Sequence, residues 1–183
     1  KIKSISAQFD KTSADPRFRF FGNVKVGEHV QPSELAERYD GVIYAVGAQS
    51  DRLLGIPGED LPGSVAAVDF VGWYNAHPHF GEITPDLSSG RAVVVGNGNV
   101  ALDVARILVS DPDMLAATDI ADHALDSLHD RGVEEVLVVG RRGPLQAPFT
   151  TMELRELDQM DALGDVDVVV DPADLADITE EDL

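Results

Sequence analysis

Arg91-Ala92-Val93-Val94-Val95-Gly96-Asn97-Gly98-Asn99-Val100-Ala101 is the stretch whose reading decides the fold. An apolar run ends in a glycine turn, and a helical pattern from Leu102 to Val109 follows directly. Strand, glycine turn and helix in that order give G-x-G-x-x-G/A its meaning. Gly96 allows the tight turn, Gly98 removes a side chain where a pyrophosphate must approach, and Ala101 is small enough for the helix to pack on the strand. The helix start offers free N–H groups and a positive dipole end to phosphates. The stretch therefore implies dinucleotide binding. Val100, Val104 and Leu108 are expected to form the apolar face of the helix.

A second apolar run, Val136-Leu137-Val138-Val139, ends in Gly140-Arg141-Arg142-Gly143. The end of the second strand is where a Rossmann unit meets the adenosine ribose. An acidic residue there suits NAD, and arginine there suits the 2′-phosphate of NADP. A guanidinium holds that phosphate by paired, charge-assisted hydrogen bonds. The alternative is two surface arginines after a strand. With only 14 Lys and Arg in the chain, two adjacent ones at this address favour the phosphate.

The formal net charge of −19 argues against nucleic acid and anionic membranes as partners. It also repels an acidic redox partner, which would need a local basic patch or a surface off these residues. Zero cysteines exclude disulfides, thiolate metal sites and thiol redox chemistry within the 183 residues. No apolar stretch approaches the length of a membrane span, and no secretory signal is evident, so a cytoplasmic location is expected.

Along the chain, Ile2 to Thr12 reads as the end of a helix, broken at Asp15-Pro16. Phe18 to Phe21 and Val24 to Val26 read as strands, Ser33 to Tyr39 as a short helix, and Gly41 to Val46 as a buried strand. Pro57-Gly58-Glu59-Asp60-Leu61-Pro62-Gly63 is dense in turn formers, and a domain crossover is expected close to it. Val68 to Asn75 looks helical and His77 to Gly90 loop-like. Strand 91–95, helix 99–110, a helix near 123–129, strand 135–139, a helix over 150–160 and a strand over 166–170 follow. The tail, 171–183, is acidic and without clear apolar periodicity. The ribose contact lies about 20 residues past the glycine turn in the simple pattern; here 45 separate Gly96 from Arg141. The extra length between Asp111 and Arg131 is expected to sit outside the sheet. Three strands after the crossover are fewer than a doubly wound sheet carries. The sheet is therefore expected to be incomplete in this chain.

Taken together, Gly96–Leu108, Phe70-Val71-Gly72-Trp73-Tyr74-Asn75, Gly140-Arg141-Arg142-Gly143-Pro144-Leu145-Gln146 and Phe149–Leu157 are familiar. Across nearly its whole length the chain resembles an internal portion of an adrenodoxin-reductase-like ferredoxin–NADP reductase of the actinobacterial type. The resemblance implies an α/β, Rossmann-like three-layer dinucleotide-binding fold of the two-domain FAD/NAD(P) flavoprotein type. Residues 1–47 would end the first FAD-binding segment, and 48–183 would belong to the NADP-binding domain. The FAD glycine motif and the C-terminal FAD segment of that family lie outside these residues. Implied cofactors are NADP and FAD, and the implied partner is a ferredoxin or similar iron–sulfur protein.

The resemblance puts Asn97, Gly98, Asn99 and Val100 around the pyrophosphate, Arg141 and Arg142 on the 2′-phosphate, and Glu153 near the nicotinamide half. It matches Arg52 to another NADP contact and backbone around His29 and Val30 to the adenine end of FAD. Glu156, one helical turn past Glu153, is the candidate catalytic residue, assisting proton or hydride handling. Plainer readings stand beside these. Thr150 and Glu153 have the spacing of a capping box. Glu156 fits a solvated helix face, and Asn99 fits a helix N-cap. Trp73 and Tyr74 read as packing residues at a domain contact. His77-Pro78-His79 is a poor metal site without a third ligand, and no metal is expected. A glutamate-synthase-like reductase portion and a non-catalytic NADP-binding module are the alternative functions.

Overall fold

The structure is a computed structural model and describes residues 6–48, 50–176 and 178–179. The first residues of the expected helix over 2–12, and Asp177 and 180–183 of the tail, lie outside the described residues. The chain divides into two compact units, Lys1–Gly47 and Ala48–Leu183.

In the first unit, helix α1 spans Ser6–Ser13 and α2 spans Pro32–Arg38. Pro32 stands in the first turn of α2, where its missing N–H costs nothing. The expected strands at 18–21, 24–26 and 41–46 do not form ladders. Pairing here is reduced to an isolated bridge between Val26 and Val30. Gly41–Val46 is not buried either: Ile43 is 92% exposed. Its composition suits a strand, but a strand also needs a neighbour to satisfy its backbone groups.

The second unit carries the core. Its elements are α3 (Ala67–Tyr74), β1 (Arg91–Val95), α4 (Asn99–Val109), α5 (Pro112–Leu115), α6 (Asp122–His129), β2 (Glu135–Val139) and α7 (Thr151–Leu163). Strands β1 and β2 pair in parallel, in register from Arg91 opposite Glu135 to Val95 opposite Val139. An Arg91–Glu135 ion pair of 2.6 Å closes the start of the ladder. At its other end Gly96 N–H donates to Val139 O at 2.8 Å. Side chains alternate across the strands. Ala92, Val94 and Val136 pack against the helices, whereas Val93, Val95, Leu137 and Val139 are exposed. The stretch expected as a strand over 166–170 is not one, and Val169 stands exposed.

Helix α4 buries Ala101, Leu102, Val104, Ala105, Ile107 and Leu108. Val100, expected on this face, instead points away from the core. Val104 and Leu108 of the expected face are buried, and Ala101 rather than Val100 heads the stripe. The stretch 111–131 holds α5 and α6 and lies outside the sheet, as expected. Leu115, Ala121, Ala124 and Leu128 from that stretch join Phe70, Trp73 and α4 in one buried cluster. The insertion, though outside the sheet, thus contributes to the core. Ala121 N–H donates to Tyr74 O at 2.9 Å, and the His123 ring lies 3.0 Å from Trp73 O, pinning α6 to α3. Trp73 packs within this core beside Phe70, their ring centres 5.4 Å apart.

Candidate functional site

The glycine turn sits between β1 and α4. Gly96 has φ of 130°, a left-handed value that side chains resist. Gly98 is the N-cap of α4, with φ −92° and ψ 178°, ordinary extended backbone. A Cβ built on Gly98 would meet only Pro148 Cγ, at 3.7 Å, an ordinary contact. Neither the backbone nor the packing of this chain therefore requires glycine at 98. No side chain caps α4, so its first N–H groups face outward unclaimed by a cap. The plainer reading of Asn99 as N-cap is corrected here. It occupies the first helical position, and its Oδ1 accepts from Thr150 N–H at 2.7 Å.

Asn97, Gly98 and Asn99 lie against the segment after β2. A Cβ on Gly140 would fall 2.5 Å from Asn97 Nδ2, so the Asn97 side chain lies against the end of β2. Pro148 lies beside Gly98, and Thr150 is bound to Asn99. The glycine turn and the segment bearing Arg141 and Arg142 are thereby one braced assembly. Both arginines are exposed, and neither forms an ion pair among the described residues. Val100 is 54% exposed on the same end of α4.

Helix α7 begins at its N-cap Thr150, whose hydroxyl accepts from Glu153 N–H at 3.5 Å. Gly164 ends it in a left-handed conformation, φ 78°. The helix brings Glu153 and Glu156 against α4. One carboxylate oxygen each from Asp103, Glu153 and Glu156 lies within 4.8 Å of the others. Arg106 binds this cluster, with 2.8 Å to Asp103 Oδ1 and 3.4 Å to Glu156 Oε2. The cluster thus has a cation of the protein's own. Half-buried and paired, Glu156 is not simply a solvated helix-face carboxylate. Burial, followed by the negative charge of Asp103, pushes the Tyr74 hydroxyl above its ordinary value.

The remaining candidates stand elsewhere. Arg52 is exposed in an extended stretch of the second unit. His29 and Val30 belong to the first unit, in a tight loop. There His29 Nδ1 accepts from Lys25 N–H at 3.1 Å and Val30 O accepts from Gly27 N–H at 2.8 Å. His77 packs on His79 and Phe80, with ring centres 5.3 and 5.2 Å away. Arg106 and Pro148, which join the assembly, carry no local sequence signal beyond the Asp103–Arg106 spacing along α4.

A profile of the pyridine nucleotide-disulphide oxidoreductase family matches residues 1–169. The chain belongs to this family. Among similar family members is NADPH-ferredoxin reductase FprA of Mycobacterium tuberculosis, 76% identical over 182 residues, all of this chain and 39% of that protein. The mitochondrial NADPH:adrenodoxin oxidoreductase of Bos taurus is 47% identical over 174 residues, 95% of this chain and 35% of that protein. The chain therefore spans about two fifths of such relatives or less. The solved structure of M. tuberculosis FprA in complex with NADPH superposes with a TM-score of 0.92 at 76% identity, covering all of this chain and 39% of that one. The fold is accordingly a Rossmann-like α/β arrangement, incomplete within these residues. Among the described residues no helix is long and apolar enough to cross a membrane.

Proposed function

We propose that this chain is the NADP-binding part of an FAD-containing ferredoxin–NADP reductase. The observation that carries the reading is Gly98. The fold leaves room for a Cβ there, yet the residue is glycine, at the uncapped start of α4 and braced to the arginine loop. A pyrophosphate needs that arrangement. The 76% identity to an NADPH-ferredoxin reductase, and the likeness to its NADPH complex, support the same choice of dinucleotide.

In this reading Asn97, Gly98, Asn99 and Val100 surround the pyrophosphate, and Arg141 and Arg142 clamp the 2′-phosphate. Arg52 adds a further contact, and Glu153 faces the nicotinamide half. Glu156 holds or moves a proton near the reacting end, steadied by Arg106. Residues 1–47 end the first FAD-binding segment, with the backbone at His29 and Val30 toward the adenine end, and 48–183 form the NADP domain. The division of the chain at Gly47 supports that boundary. When bound, FAD would supply the redox chemistry that links two-electron oxidation of NADPH to single-electron transfer to a ferredoxin or similar iron–sulfur protein. The protein's contribution is to bind and orient the nicotinamide. The absence of a spanning helix among the described residues fits a cytoplasmic enzyme, and the net charge of −19 speaks against nucleic acid as a partner.

The test is rapid mixing of the full-length flavoprotein with NADPH or NADH while the flavin absorbance is followed. Faster bleaching at lower concentration by NADPH is the expected result. Equal use of both cofactors, or no flavin in the protein, would reject the reading.

A further inference from the structure

Helix α7 opens with Thr150-Thr151-Met152-Glu153, the spacing of a capping box. In a complete box the N-cap hydroxyl accepts from the N–H of the third helical residue, and that residue's carboxylate accepts from the N-cap N–H. The carboxylate half of such a box is present at α2, where Glu34 Oε2 accepts from Gln31 N–H at 2.8 Å. At α7 only the hydroxyl half forms, from Glu153 N–H to Thr150 Oγ1. Thr150 N–H donates instead to Asn99 Oδ1, at 2.7 Å, from a residue 51 positions upstream on the first turn of α4.

We propose that Asn99 is a positioning residue for Glu153. By satisfying the backbone donor that the box would otherwise give to Glu153, it keeps that carboxylate off its own helix end and free to meet the dinucleotide. The inference rests on the reading of Glu153 as a nicotinamide-side contact. Its geometry agrees: the Glu153 carboxylate gathers with those of Asp103 and Glu156 rather than returning to Thr150.

The chemistry also accounts for an amide at position 99. Thr150 N–H needs an acceptor, and Asn Oδ1 supplies it. That leaves Nδ2, which can only donate, as the remaining polar atom of the side chain. A donor suits an anion at a helix N-terminus. Aspartate would accept from Thr150 equally well but would set a negative charge beside the phosphates. Alanine would release Thr150 N–H, and an unsatisfied donor draws in the nearest acceptor able to reach it. By capping-box geometry that acceptor is Glu153.

The experiment uses the full-length flavoprotein with Asn99→Ala, Asn99→Asp, Glu153→Ala and the pair Asn99→Ala/Glu153→Ala. Two readouts are taken: crystal structures of the two Asn99 variants, and NADP+ dissociation constants from flavin difference spectra. In Asn99→Ala the Glu153 carboxylate should lie on Thr150 N–H, and in Asn99→Asp it should stay where it is. Glu153→Ala should raise the dissociation constant about tenfold in the wild-type and Asn99→Asp backgrounds, and by less than about twofold in Asn99→Ala. A Glu153 carboxylate unmoved in Asn99→Ala overturns the proposal, as does a full Glu153→Ala penalty in that background. If Glu153→Ala has no effect in the wild type, Glu153 is not a dinucleotide contact and that reading fails. The Asn99→Ala structure then still decides whether Asn99 holds Glu153 away from the helix end.

Discussion

The core between α3, α4 and α6 and the turn at residues 96–99 lie at opposite ends of what packing explains. In the core each residue is accounted for by its neighbours. Leu128 is fully buried. Gly132 just beyond α6 is glycine because a Cβ would fall 2.3 Å from Ser88 O. At the turn the neighbours explain little. Gly98 has room for a Cβ, Val100 turns an apolar side chain outward, and Arg141 and Arg142 stand without an ion partner among the described residues. Where contacts already account for a residue, it says little about ligands. Where they leave it unaccounted for, a ligand is the economical cause.

Leu128→Ala should break the first region without touching the second. Removing a buried leucine costs about 2–5 kcal/mol, depending on how far the site collapses. The urea midpoint of the full-length protein should fall accordingly, while the dissociation constant for NADP+ in the folded protein changes less than about twofold. A large loss of affinity in the folded variant would show that core and turn are not separable.

Gly98→Val is the converse. Its φ and ψ suit a β-branched residue and its Cβ has space, so the fold should hold, with a loss of about 1 kcal/mol or less from the poorer N-cap residue. Dinucleotide affinity should fall more than about a hundredfold, near 3 kcal/mol. The variant is expected to stay yellow, its flavin bleached by dithionite but not by NADPH. Normal reduction by NADPH would remove Gly98 from the site. Loss of flavin as well would mean the residue serves the fold after all.

The contrast between the regions also governs what the sequence made legible. β1, the turn and α4 could be read because one short stretch carries an apolar run, a glycine forced to positive φ and helical spacing. The arginine pair was legible by its address at the end of β2. The strands expected at 18–21, 24–26, 41–46 and 166–170 show why composition is not enough: an apolar, branched run states a preference, whereas a ladder needs a partner at the right distance. The place of 111–131 outside the sheet is legible from its length, and its part in the core from the spacing of Ala121, Ala124 and Leu128 at the start and along one face of α6. The Asn99–Thr150 bond has no local signature, because it joins two turns that only the fold brings together.

Arg141→Ala and Arg142→Ala should sharpen the comparison by showing which ligand the turn region serves. A hydrogen bond to a charged group contributes roughly 1.5–3 kcal/mol, or about ten- to a hundredfold in affinity. Each change should weaken NADPH by that factor and leave NADH nearly untouched, as measured by flavin reduction at varied cofactor concentration. Equal losses for both cofactors would assign the arginines to stability.

The smallest expected effect concerns a stretch held by neither packing nor ligand. Glu59 lies in the turn-rich segment 57–63, and its two carboxylate oxygens accept from Leu54 N–H and Gly55 N–H, the latter at 2.7 Å. The Leu54 bond first, and the Gly55 bond after it, hold the Glu59 carboxyl below the ordinary glutamate range. A depressed value in the folded state means the ionised form is favoured by folding. The contribution is therefore fully present above the ordinary glutamate value and is lost as pH falls through the depressed one. The amides of Leu54 and Gly55 should accordingly keep their hydrogen-bonded chemical shifts at neutral pH and lose them on acidification, at a pH below that of an unperturbed glutamate. Glu59→Ala should give the acid-form shifts of Leu54 and Gly55 at every pH. If those two amides titrate at the ordinary glutamate value, the carboxylate does not grip them, and the segment is ordered by its turn residues alone.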